Sequence, residues 1–150
     1  MADFDPLKLE NQLCFPLYAA SREVIRKYGP VLSEFDLTYT QYITMMVLWE
    51  KKALSVKDLG ARLFLDSGTL TPLLKGLESK GYITRRRSAE DERVLQVGVT
   101  DEGMGLKEKL KAVPGQVASC ISLEPEEAAE LYRLLYKILG NAERGLLSRQ

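Results

Sequence analysis

The sequence contains no histidine, and that absence removes much of enzyme chemistry. A Cys-His or Ser-His nucleophile needs an imidazole to take its proton, and histidine is also the commonest metal ligand and the side chain that titrates near neutrality. Cysteine is almost as scarce. There are two, Cys14 and Cys120, whose spacing fits no zinc pattern and which a reducing compartment would keep from forming a structural disulfide. No metal and no cofactor is expected. Also missing is any apolar run near the roughly 18 to 20 residues that a membrane span requires. The opening "MADFDPLKLE" is acidic rather than a basic leader into an apolar stretch. The expectation is a cytoplasmic protein with no membrane partner.

Net charge is absent too, but only in the total. The Lys+Arg and Asp+Glu counts balance at 21 each, yet residues 51–100 carry ten Lys/Arg against six Asp/Glu. The flanking segments are acidic. A basic middle between acidic ends suggests a phosphate-facing centre flanked by segments with another task. A length of 150 residues with 45% hydrophobic content suits one domain, residues 1–150, with its own core.

Periodicity then places the elements. From Leu7 to Tyr28 the residues Leu9, Leu13, Leu17, Ala20, Val24 and Tyr28 recur at helical steps. Gly29-Pro30 should end this helix and Pro16 should kink it. "LTYTQYITMMVLWE" (37–50) predicts an apolar helix capped by Thr38 or Thr40, and "LSVKDLGARLF" (54–64) a helix capped by Ser55 with Asp58 at the third position. In "LDSGTLTPLLKGLESKGYI", Asp66 or Ser67 caps a helix whose Leu70, Leu73, Leu74 and Leu77 face inward, and Gly81 closes it. Two short helices joined by a tight turn make a helix-turn-helix. "YITRRRSAEDERVLQVGVT" alternates as a β-hairpin with a charged tip, which after a helix-turn-helix is a wing. Thr100 should cap a further helix interrupted around Pro114-Gly115, and a last helix runs from about Glu124 to Leu147 with Leu131, Leu134, Leu135, Ile138 and Leu139 on its apolar side. The fold class is mainly α with a small β-hairpin wing, a winged helix-turn-helix.

Such a helix reads DNA because its N-terminal residues reach base edges while its dipole favours phosphate. Ser67, Thr69 and Thr71 offer short hydroxyls there, and Lys75 follows one turn later. The wing adds Arg85, Arg86, Arg87 and Arg93, suited to a narrow minor groove, and Asp91 can hold Arg93 through a bidentate pair. Double-stranded DNA is therefore the expected partner. Composition alone makes Cys14 a small buried hydrophobe, the usual fate of a free cysteine.

The stretch "LDSGTLTPLLKGLESKGYITRRRSAEDERVLQVGVTDEG" resembles the winged helix of the MarR family, with its recognition helix, "DxR" wing and strand leading into "LTxxG". "NQLCFPLY", "LTYTQY" and "FLDSGTLTPLLK" resemble the organic-hydroperoxide-sensing repressors of that family, over nearly the whole chain. The resemblance implies a homodimer that binds a palindromic operator. Its dimerisation helices would lie at about 7–28 and 102–148, and its winged helix-turn-helix at about 37–100. It also implies a redox-sensing thiol at Cys14, which organic hydroperoxide oxidises to release DNA. Tyr28 and Tyr39 would donate phenolic hydrogen bonds across the dimer, Tyr18 would line the pocket, and Phe15, Leu17, Met45 and Met46 are candidates for its apolar surround. Cys120 matches the resolving cysteine of two-cysteine members, which forms an intersubunit disulfide; otherwise a small thiol would cap Cys14. One departure is Gly76 after Lys75, expected to weaken the phosphate contacts and to cost the helix roughly 1 kcal/mol against alanine. Two other readings remain open at this level: a regulator released by a non-covalent apolar or phenolic ligand, and a thiol peroxidase, in which the wing arginines have no role. The expectation is a protein that is not an enzyme.

Overall fold

Four short polar side chains, Thr38, Ser55, Asp66 and Thr100, each open a helix by accepting a first-turn backbone amide. The computed structural model describes the backbone of residues 4–147 and the side chains of residues 4–140. In it, α1 spans Cys14–Ser33, α2 Tyr39–Lys51, α3 Val56–Leu63 and α4 Ser67–Ser79. They are followed by α5 at Asp101–Lys109, α6 at Val113–Ala118 and α7 at Pro125–Leu147. Residues 1–3 and 148–150 of the expected domain, and with them the last residue of the expected second dimerisation segment, lie outside the described residues.

Of the two threonines ahead of α2, Thr38 is the cap. Its hydroxyl accepts the Gln41 amide while the Gln41 side chain accepts the Thr38 amide, each at 3.2 Å, a reciprocal capping box. At α4 the cap is Asp66 and not Ser67: the Asp66 carboxylate accepts the Thr69 amide at 2.8 Å. The other end of α4 is closed by Gly81 at φ +82°. Its amide donates to the Glu78 carbonyl at 3.0 Å and that of Tyr82 to the Leu77 carbonyl at 3.1 Å. This paired closure needs a left-handed residue at Gly81, where a side chain is strained.

The strands are β1 (Ala53–Ser55), β2 (Ile83–Arg87) and β3 (Leu95–Val99), in the antiparallel order β1-β3-β2. The expected hairpin is present as β2 and β3, with Ile83 opposite Val99 and Arg87 opposite Leu95. β1 is an addition, pairing Ala53 with Gly98 and Ser55 with Gln96. The core lies between the helices and this sheet and includes Leu48, Leu59, Leu74, Leu77, Val97 and Leu110, all almost fully buried. Trp49 donates its indole N–H to the Gly103 carbonyl at 2.8 Å, so its polar edge is satisfied inside.

Two prolines act differently from expectation. The expected helix from Leu7 is a short 3-10 turn at Leu9–Asn11 followed by α1, which begins at Cys14. Pro16 therefore sits in the first turn, where an amide has no carbonyl four residues back to reach, and the expected kink has no cause. Gly29-Pro30 does not end α1, which continues to Ser33. The last turn buries Leu32, and burying a leucine is worth about 1.5–3 kcal/mol, comparable with the cost of roughly 3 kcal/mol for an internal proline. The expected interruption is present at residues 110–112, between α5 and α6, and Pro114 lies just after it, near the first position of α6.

Among the described residues no helix is long and apolar enough to cross a membrane.

Candidate functional site

On α4 the pattern of small and large residues separates two faces. Leu70, Leu73, Leu74 and Leu77 are buried, while Ser67, Thr69, Thr71 and Lys75 are exposed. Ser67, Thr71 and Lys75 follow one another at four-residue steps and so share one face. The Thr71 hydroxyl donates to the Ser67 carbonyl at 2.8 Å, which leaves its oxygen as an acceptor. Gly76 is not on this face. A Cβ built there would lie 2.7 Å from Nε2 of Gln41, so the glycine admits the Gln41 side chain between α2 and α4. Gly76 thus also has a place in the packing of α2 on α4.

The wing arginines differ in what holds them. Arg85 lies opposite Val97, on the same inward side as Ile83. Its guanidinium turns back to α4 and donates to the Glu78 carboxylate at 3.0 and 3.4 Å. That hydrogen bonding holds the Glu78 carboxyl below its ordinary range. Arg85 therefore joins the wing to the helix before it, whereas Arg86, Arg87 and Arg93 are exposed. At the tip, Arg93 donates Nε to Asp91 Oδ1 at 3.0 Å and an Nη to Oδ2 at 3.1 Å. The Arg93 backbone amide also donates to Asp91 Oδ1, at 3.0 Å. The expected fork is present, and these bonds depress the Asp91 carboxyl. The result is an outward guanidinium on a fixed arm.

A second cluster forms at the end of α1. Tyr28 packs against Tyr39 with ring centroids 4.9 Å apart and against Tyr42 at 5.7 Å, the rings tilted to one another, and Tyr39 is 6.4 Å from Tyr42. Burial, then the proximity of Tyr28, pushes the Tyr39 phenol up from its usual range, and burial followed by Tyr28 and Tyr39 does the same to Tyr42. Both remain protonated at neutral pH and can donate.

Cys14 and Cys120 are free and exposed, so Cys14 is not the buried hydrophobe that composition alone suggests. It is the first residue of α1, fourteen residues before Tyr28 on the same helix, a separation of about 20 Å at the rise of an α-helix. Within one chain Tyr28 and Tyr39 therefore cannot reach it. Tyr18 is exposed and accepts a hydrogen bond from Arg22 Nη1 at 2.7 Å, the guanidinium also lying over its ring. The expected apolar surround divides as well. Phe15, Leu17 and Met46 are exposed, whereas Met45 is fully buried in the core beside Tyr42 and Leu48. Cys120 follows α6, with its sulfur 3.5 Å from the Gln116 carbonyl. Among the described residues no cluster of His, Cys, Asp or Glu could hold a metal. Gln41 stands in the T-x-x-Q spacing of a capping box behind Thr38, but its contacts with α4 and the pairing of Glu78 with Arg85 join elements that meet only in the fold.

Residues 26–110 match the family described as the SarA/Rot transcriptional regulators. The chain is 48% identical over 136 residues to the organic hydroperoxide resistance transcriptional regulator of Bacillus subtilis, covering 91% of this chain and 92% of that protein. It is similar in structure to reduced AbfR bound to DNA, AbfR being a Staphylococcus epidermidis protein, with a TM-score of 0.74 and 34% identity over 89% of this chain and 92% of that one. It is also similar to AbfR in its disulfide-formed state, with a TM-score of 0.63 and 37% identity over 87% of this chain and 92% of the other. With that identity across nine-tenths of its length and a winged helix built as described, the chain belongs to the MarR family of transcriptional regulators, in the branch of the organic hydroperoxide resistance regulators.

Proposed function

We propose that this chain is a redox-sensing transcriptional repressor that binds a palindromic DNA operator as a homodimer while Cys14 is reduced and releases it when organic hydroperoxide oxidises that thiol. The placement of Cys14 and the Tyr28-Tyr39-Tyr42 cluster at opposite ends of α1 carries this reading. A two-fold axis that runs two copies of α1 antiparallel sets the N-terminal end of each beside the C-terminal end of the other, so each thiol meets its partner's phenols. Exposed apolar residues before and on α1 and along α7, among them Leu7, Leu13, Ile25, Tyr132 and Ile138, give such a pairing surface to bury.

The chemistry follows from that arrangement. Phenolic donors stabilise a thiolate, the nucleophilic form. The thiolate attacks one oxygen of ROOH, the O–O bond breaks, the sulfur becomes a sulfenic acid, and RO⁻ takes a proton to leave as alcohol. Attack by the partner's Cys120 thiol on the sulfenic sulfur then forms a disulfide and releases water. Bridged Cα atoms lie within about 7 Å, so any wider gap must be closed by movement of the segments that carry the cysteines. The movement would turn the paired winged helices away from half-sites spaced by a helical turn of DNA. Ser67, Thr69, Thr71 and Lys75 serve the major groove, Arg86, Arg87 and Arg93 the backbone and minor groove, and Arg85 and Asp91 hold the wing in place.

Treating the reduced protein with cumene hydroperoxide should abolish operator binding, and Cys14→Ser should stay bound. Release of the Cys14→Ser variant by the same oxidant removes Cys14 from the mechanism.

A further inference from the structure

Gln41 is one of two polar residues buried in the described structure, only 7% exposed, and it does more than cap α2. Its Oε1 accepts the Thr38 amide at 3.2 Å and the Lys80 ammonium at 3.3 Å, while Nε2 makes a long bond of 3.5 Å to the Leu73 carbonyl of α4. Lys80, the residue closing α4, also donates to the Asp36 carbonyl and pairs with the Asp36 carboxylate at 3.6 Å. Gly76 leaves the space into which this amide fits. Tyr39 and Tyr42, on the same first turns of α2, belong to the phenol cluster.

We propose that Gln41 is the positioning residue that couples the tyrosine-bearing turn of α2 to the recognition helix α4, so that a change at the phenols alters how α4 is presented to DNA. The proposal rests on the redox reading above. Its physical content is that one short turn carries both Tyr39 and Tyr42 and a side chain whose amide is bonded at once to the α2 cap, to a carbonyl inside α4 and to Lys80 just after α4. A displacement of Tyr39 and Tyr42 with that turn must stretch or carry along these bonds, because an amide buried without its partners is costly. Apolar packing of Leu73 and Leu74 holds α4 to the core without a preferred direction, whereas directed bonds tie α4 to the position of the turn.

The test is the ratio of operator Kd between oxidised and reduced protein. Gln41→Met keeps the shape and removes every side-chain hydrogen bond. Gln41→Glu keeps the acceptor facing Thr38 and Lys80. Gly76→Ala displaces the Gln41 amide without altering Gln41, and alanine is the better helix former, so loss of helix stability is not its effect. Gln41→Met and Gly76→Ala should reduce the ratio about tenfold, within the range of an ordinary coupling energy, and Gln41→Glu, which keeps the bonds to Thr38 and Lys80 but loses the donor to Leu73, should reduce it less. A merely structural Gln41 would lower the melting temperature of Gln41→Met and weaken both states equally; an unchanged ratio in both Gln41→Met and Gly76→Ala overturns the proposal. A wild-type ratio of one would instead remove the redox reading itself, and the coupling with it.

Discussion

Tyr28 and Tyr39 lie with ring centroids 4.9 Å apart, which binds the C-terminal part of α1 to the first turn of α2 in one phenol cluster. The same helix α1 carries Cys14 at its other end, so the phenols and the thiol of a single chain are separated by the length of the helix between them. Tyr28→Phe and Tyr39→Phe remove a hydroxyl and leave the ring contact in place. Each should slow alkylation of Cys14 at neutral pH by roughly ten- to a hundredfold, as expected for one lost hydrogen bond to a charged acceptor worth about 1.5–3 kcal/mol. Iodoacetamide labelling followed by mass measurement reads the rate; unchanged labelling in the double variant contradicts a role for these phenols.

The same cluster gives a pH dependence. Burial, with Tyr28 as a further cause, raises the pKa of Tyr39 and Tyr42 in the folded protein, so both phenols ionise at higher pH. For a group whose folded value lies above its unfolded value, the stability it contributes is fully present below the unfolded value, about 10 for a phenol, and is lost as pH rises through the folded one. Urea unfolding midpoints should therefore fall as pH rises beyond about 10, and fall less steeply in Tyr39→Phe. Phenolate absorbance of the native protein should show tyrosines that ionise later than free phenol.

The wing arginines should separate by function. Arg86→Ala, Arg87→Ala and Arg93→Ala should each flatten the dependence of log K on log salt by about one unit per lost phosphate contact. Arg85→Ala should weaken binding with little change in that slope, because its guanidinium is held by Glu78 and not offered to DNA. Asp91→Asn frees Arg93 from its fork and should cost part of the affinity that Arg93→Ala loses. Fluorescence anisotropy across a salt series measures all of these.

The unpartnered apolar face predicts an oligomeric state. Ile138 on α7 is 65% exposed, and a charge at an exposed site away from any interface usually changes stability by less than about 0.5 kcal/mol. Ile138→Glu should nevertheless shift the protein from dimer to monomer in sedimentation and abolish operator binding at concentrations where the wild type is bound. A dimer that persists in Ile138→Glu places the interface elsewhere.

Much of this was legible in the sequence where the physics is local. The threonine and serine caps, the leucine spacing of α4 and Gly81 at its end each act within a few residues, and the fork of Asp91 and Arg93 spans only two. The differences arise where tertiary packing decides. Pro30 stays inside α1 because Leu32 beyond it is buried, and β1 is too short to show a period but finds a partner in β3. Met45 and Met46 are adjacent in sequence, yet a helix turns them about 100° apart, and one becomes core while the other is exposed. Arg85 is one of three consecutive arginines, and only the strand register reveals that it faces Glu78.

The most direct measurement uses mixed dimers with a single remaining sensor thiol. In one, a Cys14→Ser subunit with intact tyrosines is paired with a Tyr28→Phe, Tyr39→Phe subunit that keeps its thiol. In the other, a wild-type subunit is paired with one carrying all three changes. Service of each thiol by the partner's phenols predicts that the first dimer is oxidised by cumene hydroperoxide at the wild-type rate per thiol and the second slowly. The reverse order, or equal rates in both, would contradict activation across the dimer.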